Sequence, residues 1–369
     1  MMQARTSIQV LICFLLSLLA TPAVAVEFAI VGPRAAGMGG AGVAVTSDAY
    51  ATYWNPAGLA MTQTVDIRFQ VSAQAVNRGE FLQTLQDIES FNSSDPAQAQ
   101  ALANSINSGG SLSAVATGGL YFKGHIGEHA FGFNVSNVAN AGSFVSQKFT
   151  APGANISGQL ALQGLEQRQA AFSYAYAFAD KTFSIGVTGR VIQGAAYTGT
   201  ATVTGGQDVT LSDNFGKAKT STAFGIDVGA MYRPSSWLRF GVVAKDLNQP
   251  EFDAPDGSTF KLNPQVRGGV ALNPWSTMIM TADMDITSNQ TFVPGIKSQT
   301  LSLGMEQTVL SEFLSFRVGT YKNVPDAKAI FTPTAGIGMR IYAFRLDLAG
   351  GYDFNEGGAI ASGALSLTF

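Results

Sequence analysis

Ala343-Phe344-Arg345-Leu346-Asp347-Leu348-Ala349-Gly350-Gly351-Tyr352-Asp353-Phe354 reads with a period of two. Phe344, Leu346 and Leu348 share one parity, and Arg345 and Asp347 share the other. Successive side chains of a strand point to opposite faces, so this stretch is a strand with one apolar and one charged face. The same alternation runs through residues 237–246, where Leu238, Phe240 and Val242 oppose Arg239, Gly241 and Lys245. It closes the chain at 361–369, where Leu365, Leu367 and Phe369 oppose Ala364, Ser366 and Thr368.

Working outward, the pattern predicts strands near 64–76, 112–123, 129–139, 167–179, 182–196, 220–233, 236–247, 263–273, 276–287, 298–308, 312–322, 331–341, 343–354 and 358–369, fourteen in all. Barrel strands of bacterial outer membranes span about 9–11 residues and come in even numbers. The connections alternate as well. Short links at 124–128, 180–181, 234–235, 274–275, 309–311 and the Tyr342 corner interleave with long ones around 77–111, 140–166, 197–219 and 248–262. Those after the ninth and eleventh strands are intermediate. Short periplasmic turns and longer outer loops produce this alternation, with both chain ends in the periplasm.

Composition points the same way. Only 13% of the 369 residues are charged, with 41 glycines and 25 phenylalanines. A soluble domain carries about 25% charged residues, yet no stretch approaches the ~20 apolar residues of a membrane-spanning helix. A closed barrel is the other structure that satisfies every backbone group in lipid. A soluble sandwich would hide its apolar faces between two sheets, and the charged or glycine-rich second parity suits a water-filled lumen better. A net charge of −3 without basic clusters gives no support to nucleic-acid binding.

The start of the chain reads as targeting. Arg5 precedes an apolar run at 8–20, and Ala23-Val24-Ala25 fits a small-x-small cleavage site. Residues 1–25 are therefore expected to be a cleaved signal peptide, 26–63 a hatch or plug, and 64–369 the barrel. The single cysteine, Cys13, falls in the signal, so the mature chain has no disulfide framework.

The expected plug is dense in glycine: Gly32-Pro33-Arg34-Ala35-Ala36-Gly37-Met38-Gly39-Gly40-Ala41-Gly42, followed by Asp48 to Trp54 and Asn55-Pro56-Ala57-Gly58-Leu59. A segment this short does not fold alone and must pack against something, the lumen being nearby. With fourteen strands and terminal Phe369, these motifs resemble the outer-membrane long-chain fatty acid transporter superfamily, including its PorV-like and TraF-like branches. The resemblance implies an all-β transmembrane barrel with a small hatch in its lumen, and it places Asn55, Pro56 and Ala57 in that hatch. Gly37, Gly39, Gly40 and Gly58 complete the motif. No ligand-pocket residue of the family has a recognisable counterpart. Terminal Phe369 resembles the signal read by the barrel-assembly machinery.

Two tempting motifs are set aside. Gly37-x-Gly39-x-x-Gly42 spells a dinucleotide fingerprint without its strand, helix and distal acid. His125-Ile126-Gly127-Glu128-His129 spells a zinc-protease motif in a predicted turn, whereas both histidines would have to share a helix face. These are the only histidines, so no nucleophile–base–orienter set assembles. No enzyme activity, metal or cofactor is expected. Residues 81–88 carry apolar residues at helical spacing, either gathering apolar ligand at the barrel mouth or packing on its rim.

The inward parity carries Asp66, Arg68, Asp227, Arg239, Arg267, Asp283, Asp285, Glu306, Arg317, Arg340, Arg345 and Asp347. They either hold a hydrated lumen together through cross-strand pairs or guide a solute past the hatch. The expected function is passive uptake of apolar or amphipathic small molecules, long-chain fatty acids being the family's example. The expected location is the cell outer membrane, among its lipid and lipopolysaccharide. The alternative is a non-transporting barrel that serves a secretion or conjugal-transfer assembly.

Overall fold

The computed structural model describes residues 27–92, 94–206 and 216–369; the expected signal peptide lies outside the described residues. Fourteen antiparallel strands close into a barrel. They are β1 (Asp66–Arg78), β2 (Ser111–Ile126), β3 (His129–Thr150), β4 (Ser157–Phe178), β5 (Phe183–Thr204), β6 (Lys219–Ser235) and β7 (Leu238–Lys245), then β10 (Gln265–Leu272), β11 (Met278–Asp285), β14 (Thr300–Val309), β15 (Leu314–Asn323), β16 (Thr332–Ile341), β17 (Phe344–Asp353) and β18 (Gly358–Thr368). Chain neighbours are wall neighbours throughout, and β18 returns to pair with β1. At that seam Val65 and Phe369 exchange both backbone hydrogen bonds, at 3.1 and 2.9 Å. No free edge remains in the wall, which is the condition for backbone exposed to lipid.

Alternation sets the two surfaces. Phe69, Phe133, Phe172, Phe240, Leu348 and Leu365 point outward and are exposed, while Gln70, Asn134, Ser173, Thr188, Ser302 and Ser366 point inward and are buried. No helix among the described residues is long and apolar enough to cross a membrane.

At the end of the barrel where β1 starts and β18 ends, turns are brief: 127–128 between β2 and β3, 236–237 between β6 and β7, 342–343 between β16 and β17. The opposite end carries the long connections. Helices α3 (Phe81–Glu89) and α4 (Pro96–Asn107) lie between β1 and β2. Hairpins β8 (Glu251–Asp253) with β9 (Thr259–Lys261), and β12 (Asn289–Gln290) with β13 (Lys297–Ser298), lie in the connections β7–β10 and β11–β14.

One expectation is corrected. The stretches 140–166 and 197–219 read as loops, but β3, β4 and β5 run 22 residues each and take up most of the first and residues 197–204 of the second. The reason is local. Leu160, Ala161 and Leu162 are all buried, because Phe81, Ile88, Ile106 and Phe149 cover the outward-parity side of this extension. A strand covered on both faces shows no alternation. Phe81, Leu85 and Ile88 of α3 are buried in that cluster, so the helix packs on the rim.

Candidate functional site

The N-terminal segment is buried almost end to end, from Phe28 to Met61. It folds as helix α1 (Pro33–Gly37), helix α2 (Ala51–Trp54) and a 3₁₀ turn, Pro56–Met61. Proline opens both the first helix and the turn, where its missing N–H is not needed. The helices are too short to persist alone, so the order comes from the wall: α1 packs against β15 to β18 and the 3₁₀ turn against β3 to β6.

Wall side chains hold this segment largely by its backbone. Asp283 Oδ2 accepts from the Gly42 and Val43 N–H groups, both at 2.7 Å. Asp66 Oδ2 accepts from Ala49 N at 2.8 Å, and Lys123 Nζ donates to Ser47 O and Thr62 O at 2.7 and 2.8 Å. Thr334 Oγ1 bridges Gly39 N and Gly37 O. Arg34 reaches Glu306 at 2.8 Å, Glu306 also pairs with Arg317 at 2.6 Å, and Arg317 with Asp347 at 2.7 Å. Arg345 joins Asp347 at 2.9 Å. Arg68 bridges Asp66 and Asp48, the latter on the segment itself. Burial works against the Arg34 charge, but Glu306 outweighs it and holds the guanidinium pKa above its ordinary value.

Seven strands contribute a glycine whose missing Cβ makes room for the segment. A Cβ on Gly229 would meet the Asn55 side chain, on Gly186 the Pro56 backbone, and on Gly132 the Thr52 methyl. On Gly241 it would meet Val43 O, on Gly304 and Gly319 Met38, and on Gly336 the Gly37 Cα at 3.3 Å. Close approach of two backbones is what glycine permits.

Above this seat, Phe28, Tyr53 and Trp54 pack together, with Phe28–Trp54 centroids 5.3 Å apart. Lys245 Nζ lies 3.3 Å from the Tyr53 ring centre, and the Arg267 guanidinium 4.1 Å from that of Phe28. A small chamber of about 30 Å³ lies beside them, bounded by Glu27, Gln169, Arg190, Asp246 and Leu262 among others. Arg190 there binds Asp227 at 3.0 Å and Asp246. Higher still, the lumen turns apolar: Leu165, Ile192 and Ala196 of the wall meet Phe252, Phe260, Leu262 and Phe292 of the loops.

The structure thus places the residues singled out in the sequence. Gly37 and Gly39 meet β15 and β16, and Gly40 has φ +84°. Asn55 accepts from Ala57 N and donates to Val43 O and Ala230 O, each at 3.2 Å. A Cβ on Gly58 would strike Thr46 O. Asp66, Arg68, Glu306, Arg317, Arg345 and Asp347 form the linked pairs described above, while Arg267 binds Asp285 at 2.5 Å. Arg239 reaches Ala44 O at 3.4 Å. Arg340 stands apart: it pairs with exposed Glu312 in the β14–β15 turn at 2.8 Å, because its strand position is one residue from the rim. Lys123 and Arg190 line the lumen without having been singled out, and so does Lys245, which the alternation put on the polar face. Parity alone would have found Arg190, which shares its face with Ser184, Gly186 and Thr188.

The two declined motifs have structural roles here. His129 sits on β3 against Tyr174 Oη at 2.8 Å, and a Cβ on Gly42 would enter the Trp54 ring. Two depressions of about 760 and 700 Å³ lie on the outer wall over small outward residues such as Ala73, Gly350 and Ala361, and they face away from the lumen.

The family model described as F plasmid transfer operon, TraF, protein matches residues 52–285, well over half of the chain. No curated protein matches the sequence. Solved structures share the fold at low identity. The Ralstonia pickettii toluene transporter TbuX is 15% identical, with a TM-score of 0.57 over 93% of this chain and 100% of that one. The CymD monoaromatic hydrocarbon channel is 14% identical, with a TM-score of 0.56 over 93% and 98%. The toluene transporter TodX of P. putida is 11% identical, with a TM-score of 0.51 over 93% and 98%. The resemblance read from the sequence holds at the level of fold and of the TraF-like branch.

Proposed function

This chain belongs to the family described as F plasmid transfer operon, TraF, protein, and from that premise and the filled barrel we propose an outer-membrane channel for passive uptake of apolar or amphipathic small molecules. Residues 26–63 act as its hatch. The observation that carries the proposal is the seat: a lumen whose charges and glycines hold a separate chain segment, rather than a solvated pore, with a packed apolar aromatic layer on the mouth side of it. An apolar solute enters by way of Phe252, Phe260 and Phe292, and long-chain fatty acids fit the same description. The fold shared with a toluene transporter and a monoaromatic hydrocarbon channel supports this class of cargo. Those relatives also support placement in the outer membrane, reached through a signal peptide at 1–25. Phe369, which closes the barrel seam, is the proposed signal for the assembly machinery.

The test of the hatch is conductance in planar bilayers. Deleting residues 30–60 is expected to raise it, and an unchanged value would overturn the hatch. A second reading is favoured by the family match itself: a barrel serving a conjugal-transfer or secretion assembly. Co-purification with such partners, together with apolar uptake unaffected by loss of the protein, would favour that reading over the channel.

A further inference from the structure

The barrel mouth is crossed by one of its own loops. The connection 286–299 leaves β11 and enters β14, yet its tip lies on β3, where an added Cβ at Gly142 would sit 3.0 Å from the Phe292 Cβ and carbonyl carbon. In the barrel order, β10, β7, β6, β5 and β4 lie between β11 and β3, so the loop reaches the nearly opposite wall of a fourteen-stranded cylinder.

Its neighbour backs it. The connection between β7 and β10 brings Phe252 onto β5, where a Cβ on Gly194 would enter the ring, and Phe260 meets Phe292 edge-on at 5.1 Å. Phe252, Phe260 and Phe292 are all buried against Leu165, Ile192 and Ala196. The hatch lies below this layer and has its own seat on other glycines, so the two obstructions are in series along the lumen.

The way the strap is held differs from the way the hatch is held. Its base is fixed: Asp285 Oδ2 accepts from Thr300 N at 2.8 Å, and Asn323 donates to Lys297 O at 2.8 Å. Its tip bonds only to itself. Thr291 N donates to Ile296 O at 3.1 Å, Ile296 N to Val293 O at 3.1 Å, and Val293 N to Thr291 Oγ1 at 3.1 Å. Among the described residues no hydrogen bond or ion pair joins 291–296 to the opposite wall. A tip whose polar groups are internally satisfied leaves its seat without exposing unpaired donors or acceptors, and what it gives up is apolar contact, which an apolar solute replaces.

We propose that the 286–299 strap is the outer gate of the channel, swinging on its base at β11 and β14 while Phe292 leaves and re-enters the Gly142 seat. This rests on the uptake reading above. The hatch then governs the second barrier, and a chain lacking 30–60 conducts in bursts as the strap opens and closes.

The test uses a lock. The only cysteine of the sequence is Cys13, in the expected signal, so Gly142→Cys with Phe292→Cys supplies the sole pair. Disulfides span a Cβ–Cβ distance of about 3.5–4.5 Å, which a small shift of the strap provides. The full-length double variant, oxidised and then reduced, is measured for uptake of a long-chain fatty acid and for conductance in the same bilayers. Oxidation is expected to lower uptake at least about tenfold, corresponding to about 1.4 kcal/mol in the barrier, without raising conductance, and reduction to restore it. Each single-cysteine variant should not respond to oxidation. Equal flux in the cross-linked and reduced states overturns the gate while leaving the uptake reading intact. A wild-type chain with neither uptake nor conductance above bare bilayer overturns both, since there is then no flux to gate.

Discussion

Glu306 on β14 is shared between Arg34 of the N-terminal segment and Arg317 on β15, with contacts of 2.8 and 2.6 Å, and the three side chains are largely withdrawn from solvent. One carboxylate therefore ties the segment to the wall and balances two buried cations. Glu306→Ala strands Arg34 and leaves Arg317 with Asp347 alone, and removing one partner of a buried pair costs about 3–5 kcal/mol. Arg34→Gln leaves Glu306 with Arg317 and should cost clearly less. Unfolding in detergent reads both; no loss in Arg34→Gln would show that Glu306 serves the wall alone.

The glycine seat gives a second expectation. In Gly319→Ala the new methyl enters the Met38 backbone, and overpacking of this kind costs about 1–3 kcal/mol. Residues 27–61 should become accessible to protease while the barrel keeps its strand content. Gly268→Ala, on the outward parity with its nearest contact at 3.5 Å, is the control. Equal protease resistance in the two variants would argue that the segment is not seated by glycine.

Asn55 does three things at once, accepting from Ala57 N and donating to Val43 O and Ala230 O. Each buried partner left without a hydrogen bond costs about 1–3 kcal/mol. Asn55→Ala should therefore raise basal conductance, and Asn55→Asp should fall between, because it keeps the acceptor for Ala57 and loses the donor. An Asn55→Ala channel as quiet as wild type would mean the 3₁₀ turn holds its place without this side chain.

Glu27, at the start of the segment, supplies a pH dependence. Desolvation by burial raises its carboxyl above the ordinary 4.5, Arg78 opposing and Asp285 adding to the rise. A carboxyl raised in the folded state favours the seated form at low pH, and that contribution is lost as pH climbs from 4.5 through the raised value. Protease release of the segment should thus be slower at about pH 4 than at about pH 7, with the difference reduced in Glu27→Gln. The same difference in Glu27→Gln as in wild type would assign the effect to another group.

Much of this architecture is legible in the sequence because lipid imposes it. Outward residues such as Phe344, Leu346 and Leu348 face one solvent and Asp347 another, and the alternation survives in the residue order. Where the environment is the same on both faces, as at Leu160, Ala161 and Leu162, the signal disappears and the strand extensions read as loops. The inward charges were placed by parity, but their partners were not: Arg34 and Glu306 are 272 residues apart. Likewise nothing local marks Gly229 or Gly304 as part of a seat, since a wall glycine takes its meaning from the backbone facing it.

Passage of apolar molecules through this barrel is tested by mass spectrometry of small molecules extracted from protein purified out of native outer membrane. A channel for apolar cargo should carry one class of fatty acid or hydrocarbon in stoichiometric amount. Recovery of bulk phospholipid and lipopolysaccharide alone would contradict it and turn the barrel into an assembly component.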